Sequence, residues 1–171
     1  MSETLIGIVI GGIITFFGSL ITISVQYLTS TFTIKYQKMQ DERAQVIKIL
    51  YQKIVKTYRS FHSYMNPIQM AGEPSQEAKG QEAAKLANEF ADYYEENKIF
   101  IDKELTKSID KLSEVFRNAW LKFEEHRMAK QFKEFDLKNW KEGWDIINKD
   151  FPPIKEKIEH EFRKIIGIKS K

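Results

Sequence analysis

Three histidines, His62, His126 and His160, are the side chains of this 171-residue sequence best suited to acid–base catalysis or metal binding near neutral pH. No two of them stand three or four residues apart, the spacing that places two metal ligands on one face of a helix. The sequence contains no cysteine, which excludes a thiol nucleophile, a disulfide framework and a cysteine-ligated metal site. We therefore predict no catalytic residue, no metal site and no cofactor, and expect that the protein is not an enzyme.

Helical ribonucleases of the HEPN class use an arginine that is followed four to six residues later by a histidine. None of the five arginines here has that spacing: Arg59 and His62 are three residues apart, and Arg117 and His126 are nine apart. A degenerate pair of Arg59 and His62 on one helix face stays open as an alternative. Because the net charge is only +3 and acids alternate with bases, we expect no direct nucleic-acid partner.

The N-terminal segment is long and apolar enough to cross a membrane. From Thr4 to Ile34 there are 31 residues without a charged side chain. A 21-residue helix within this segment, residues 5–25, would be roughly 31 Å long and would match the hydrocarbon core of a bilayer. The N-terminal flank has no lysine or arginine, whereas Lys35, Lys38 and Arg43 follow the segment. The positive-inside rule then predicts a single-pass protein with its N-terminus outside and its C-terminal part in the cytoplasm.

Small and polar residues follow one face of this predicted helix. At about 100° per residue, they fall within an arc of about 120°: Thr4, Gly7, Gly11, Thr15, Gly18, Ser19, Thr22, Gln26, Thr29 and Thr33. One interpretation is a pore made by a ring of copies and lined by Thr15, Gly18, Thr22, Gln26 and Thr29. A second is a packing seam, since Gly7 and Gly11 form a GxxxG pair that lets two helices approach closely. A simple membrane anchor is the third.

The remaining 137 residues show helical periodicity throughout, and no run of period two predicts a sheet. Prolines and glycines indicate a loop at residues 66–80 and a second break at Pro152 and Pro153, with the last helix starting after Pro153. Asp102 is predicted to cap the N-terminus of a helix that opens at Glu104. The predicted fold is all-α: a transmembrane segment (residues 1–34) continues as a long helix into a cytoplasmic antiparallel helical bundle (residues 35–171).

This architecture resembles the small membrane accessory protein of type VI-B CRISPR systems, and the resemblance covers the whole chain. It implies a HEPN-like form of the bundle, a bacterial inner-membrane location and a ring-shaped pore. It also implies a role in antiphage defence, in which the pore perturbs the membrane and an RNA-guided nuclease acts upstream. The expected partners are therefore the lipid bilayer and further copies of the chain, at least about five if single helices are to leave an opening. The alternative is a non-catalytic, membrane-anchored helical adaptor that localises a cytoplasmic partner.

Overall fold

The computed structural model describes residues 3–131 and 137–167, and every regular element in these ranges is helical. The elements are α1 (Glu3–Met65), α2 (Gln76–Asn97), α3 (Lys103–Gln131), α4 (Leu137–Asp145) and α5 (Phe151–Ile165). A 3₁₀ turn, Lys98–Phe100, lies between α2 and α3, and a π turn, Ile146–Asp150, lies between α4 and α5. The predicted all-α fold class is confirmed.

The chain divides into two compact units, Met1–Glu42 and Arg43–Lys171, which we call the N-terminal and C-terminal units. The N-terminal unit is helical from Glu3, and the large apolar side chains that the structure describes in it are mostly exposed. Within the described residues, one helical stretch, Ile10–Met65, contains a window that is long and apolar enough to cross a membrane. The predicted helix of transmembrane length is therefore confirmed in its length and composition.

A single hydrophobic core fills the C-terminal unit. The last five turns of α1 contribute Leu50, Ile54 and Phe61, which are almost completely buried. The Phe61 ring lies 5.1 Å from that of Phe116 on α3, and the Tyr58 ring stacks at 4.1 Å on Phe151 of α5. Apolar residues that recur every three or four positions form a stripe on each helix, so packing the stripes together removes them from water.

Side chains from other elements satisfy the carbonyl groups at the end of α1. The indole nitrogen of Trp140 donates to the Met65 carbonyl at 3.0 Å, and the Gln76 side-chain amide donates to the Tyr64 carbonyl. The last carbonyls of a helix have no partner within the helix, so these bonds stabilise its end. Close to this point α2 approaches α1 so tightly that a Cβ on Gly80 would lie 2.8 Å from the Tyr64 ring.

The loop after α1 is shorter than the predicted 66–80. The Ser75 hydroxyl accepts a hydrogen bond from the Ala78 backbone N–H, which caps α2 and places residues 76–80 in its first turn. The buried Lys79 side chain on α2 pairs with Glu73 in the loop. The loop proper is therefore residues 66–75, and it is tied back to the helix that follows it.

Pro152 and Pro153 do not break the chain before the last helix, so that prediction is wrong. Both lie in the first turn of α5, which begins at Phe151. Proline is accepted there because the first backbone N–H groups of a helix have no partner within it. The preceding turn widens instead: the Phe151 N–H donates to the Ile146 carbonyl, five residues back.

Asp102 joins the start of α3 to α1. One carboxylate oxygen accepts the Leu105 backbone N–H at 2.9 Å, and the other lies 2.9 Å from Nη2 of Arg43. The first contact confirms the predicted cap. The second holds the connection between α2 and α3 beside the first residue of the C-terminal unit.

Replacing Asp102 by alanine is expected to lower the free energy of unfolding of the C-terminal unit by about 1–2 kcal/mol, because the cap and the ion pair are both lost. Asp102→Asn is expected to cost less, since an asparagine side chain still caps a helix and loses only the charge. Thermal unfolding followed by tryptophan fluorescence measures both variants. Equal destabilisation by the two variants would contradict the capping role.

Candidate functional site

The polar face of the N-terminal unit is exposed along its whole described length. The residues proposed to line a pore, Thr15, Gly18, Thr22, Gln26 and Thr29, are all in α1 and all exposed in the single chain. The helix therefore leaves this face free to meet lipid, water or another copy.

Most hydroxyl groups on this face are satisfied within their own helix. Thr15 donates to the Gly11 carbonyl at 2.8 Å, Thr22 to Gly18 at 2.9 Å, and Thr29 to Val25 at 2.8 Å. A hydroxyl that donates to the carbonyl four residues earlier in its own helix needs no acceptor from another molecule. The threonines alone therefore do not require the helix to associate.

Gln26 differs from these threonines. Among the described residues its side-chain amide has no hydrogen-bond partner, and the residue is exposed. An amide carries two donor hydrogens and an acceptor oxygen, and burying them unpaired in hydrocarbon costs several kcal/mol. Gln26 directly follows the predicted 21-residue span, residues 5–25, so its amide lies at one end of the hydrocarbon core. In an assembly of helices, water or a second polar chain can satisfy it there.

Gly7 and Gly11 leave open space on α1. A Cβ built on either glycine would meet no atom within 4 Å in the single chain. That space is available to a neighbouring helix, as the predicted GxxxG packing requires.

The described residues contain no group of three or more side chains suited to hold a metal ion. The His62 ring packs 4.8 Å from Trp144 and 6.0 Å from Tyr58, whereas His160 is exposed on α5. Arg59, the other member of the degenerate pair, is exposed. These contacts give His62 a place in an aromatic cluster, and its ring has no carboxylate partner there.

An apolar groove between α1 and α5 is the feature that the sequence analysis missed. Its volume is about 660 Å³, and its floor includes Ile47, Phe162 and Ile166. Ile47 and Phe162 are nearly buried, while Ile166, just beyond the end of α5, is 44% exposed. The signal in the sequence was the apolar pattern of the last helix, which continues to Ile165 and Ile166.

The charged groups of the groove are unevenly paired. Glu159 accepts from both Lys155 and the Tyr51 hydroxyl. Burial raises the pKa of the Glu159 carboxyl, but these two donors outweigh burial and hold the pKa below its usual value. Lys48 and Arg163 line the same groove, and neither has an acidic side chain within 4.0 Å among the described residues. The groove therefore carries a net positive edge.

Comparisons with known proteins found no relative of this chain. No family model matches the chain, no curated protein matches it, and no solved structure matches it.

Proposed function

We propose that this protein is a single-pass membrane protein whose copies assemble into a ring and form a pore. The observation that carries the proposal is the exposed stripe of small and polar residues, including the amide of Gln26, along a 31-residue segment that has no charged side chain. Water in a pore would satisfy that amide in every copy, and the remaining small and hydroxyl residues of the stripe would line the same conduit. The proposed lining is Thr15, Gly18, Thr22, Gln26 and Thr29.

The proposed orientation places the C-terminal unit in the bacterial cytoplasm and the N-terminus outside the inner membrane. Lys35, Lys38, Arg43 and Lys48 follow the apolar segment, while no basic residue precedes it. We further propose that the C-terminal unit is an antiparallel, HEPN-like bundle without nuclease activity. The architectural resemblance to the type VI-B CRISPR accessory proteins then suggests antiphage defence, with an RNA-guided nuclease upstream.

The alternative function, a membrane-anchored adaptor for a cytoplasmic partner, is favoured by exposed apolar side chains on the loop after α1. Ile68 and Met70 are both more than half exposed there. In an adaptor the transmembrane helix would only anchor or dimerise, and Gln26 would pair with a second Gln26 in place of water.

The mass of the full-length protein in detergent, measured by light scattering with the detergent contribution removed, separates the two functions. We expect a particle of at least about five chains, the smallest number of single helices that leaves an opening. Reconstituted vesicles should then release trapped potassium ions. A monomer or dimer without ion flux would exclude the pore and support the adaptor.

A further inference from the structure

Two exposed apolar features lie on the C-terminal unit, and neither has a role in the proposed pore lining. One is Ile99, 86% exposed on the 3₁₀ turn Lys98–Phe100; the other is the groove between α1 and α5. We propose that the 3₁₀ turn of one copy inserts into the groove of the next copy and so closes the ring. This inference rests on the homo-oligomer of the proposed function and names its cytoplasmic contact.

Both features lie at the same end of the C-terminal unit. Asp102, two residues after the 3₁₀ turn, pairs with Arg43 at 2.9 Å, and the groove begins at the next residue, Ala44.

The electrostatics of the two features are complementary. Beside Ile99, at the C-terminus of α2, lie Glu95 and Glu96, and Glu96 has no basic side chain within 4.0 Å among the described residues. The C-terminal end of a helix adds partial negative charge. Lys98 is the one base in the turn, and it pairs with Glu95 at 3.3 Å. Acidic side chains therefore lie beside Ile99, whereas Lys48 and Arg163 lie at the edge of the groove.

Size and symmetry also favour this occupant. A volume of about 660 Å³ is within the range, about 300–1,000 Å³, of pockets that enclose a molecule larger than one side chain. A whole turn with Ile99 at its tip is of that size. The turn and the groove share no residue, so a contact between them is heterologous, and a repeated heterologous contact produces a closed ring when the rotation permits.

Cross-linking of the full-length protein in detergent tests the contact directly. The chain contains no cysteine, so Ile99→Cys together with Ile166→Cys creates one reactive group in each feature and no others. With a short bismaleimide, the double variant is expected to produce a ladder of dimers, trimers and larger covalent species on a denaturing gel. Each single variant is expected to give at least about tenfold less covalent trimer and larger species than the double variant, because one cysteine can link only two chains.

A matched control pairs Ile166→Cys with Leu121→Cys, which is 52% exposed on α3 and outside both features. A ladder from the control as strong as that from the test pair would overturn the proposal. Loss of the ladder while light scattering still reports a ring would also overturn it. In that case the proposed oligomer stands and this contact does not. A monomeric particle would remove the oligomer and this contact together.

Charge exchange in the double-cysteine variant provides a second test of the same contact. Glu96→Lys is expected to lower the yield of the ladder by at least about threefold, because the lysine would face the basic edge of the groove. Adding Arg163→Glu to this variant is expected to restore the yield. Failure of the second change to restore it would contradict direct contact between these two side chains.

Discussion

Replacing Gln26 by leucine is expected to reduce ion flux through reconstituted vesicles by at least about tenfold, which corresponds to about 1.4 kcal/mol added to the barrier for ion passage. The reason is that the Gln26 amide has no hydrogen-bond partner among the described residues, so in a pore it would face water. Leucine at that position would make a ring of apolar groups, and such a ring stops conduction by excluding water. Potassium release measures the flux, and light scattering measures assembly on the same sample.

Two control variants separate the pore from a packing seam. Gln26→Asn retains an amide and should retain most of the flux. Thr22→Val should have a smaller effect than Gln26→Leu, because the Thr22 hydroxyl already donates to the Gly18 carbonyl. If Gln26→Leu dissociates the particle, then Gln26 is a helix-packing residue. Unchanged flux and unchanged mass would remove it from the lining altogether.

Replacing Phe61 by alanine is expected to destabilise the C-terminal unit by about 3–5 kcal/mol, a large part of the stability of an ordinary domain. Phe61 is 2% exposed, and its ring lies 5.1 Å from Phe116 and 5.8 Å from Trp120. Removing the ring leaves a cavity where α1 meets α3. The melting temperature should fall by roughly 10–20 °C.

Tryptophan fluorescence reports this transition selectively, since all three tryptophans, Trp120, Trp140 and Trp144, belong to the C-terminal unit. Leu121→Ala is the matched control: this neighbour of Trp120 is 52% exposed, and its truncation should change the free energy of unfolding by no more than about 0.5 kcal/mol. Equal melting temperatures for Phe61→Ala and the control would contradict the core that the structure assigns.

The proposed ring therefore depends on two separable sets of residues. In that proposal, Gln26 and the small residues of the N-terminal unit would determine whether ions pass. The turn with Ile99 and the groove with Ile166 would determine whether neighbouring C-terminal units hold together. A variant in the first set should change flux at constant mass, and a variant in the second should change mass.

The helical class, the cap at Asp102 and the apolar segment could all be predicted from the amino-acid sequence. Asp102 caps α3 as predicted because a cap needs only its own side chain and the next three residues. Gly167 has a positive φ just after α5, again as local glycine preference indicates. Transmembrane length follows from consecutive uncharged residues, which need no tertiary partner to be recognised.

Contacts between residues far apart in the chain could not be predicted from the sequence and are seen only in the folded chain. The prediction of a break at Pro152 and Pro153 failed because the same two prolines suit the first turn of a helix equally well. The groove joins Ile47 to Phe162, and the pairing of Arg43 with Asp102 spans 59 residues. No local pattern encodes such contacts, because the free energy of packing depends on which faces meet. That packing places Ile99 and the groove at one end of the unit.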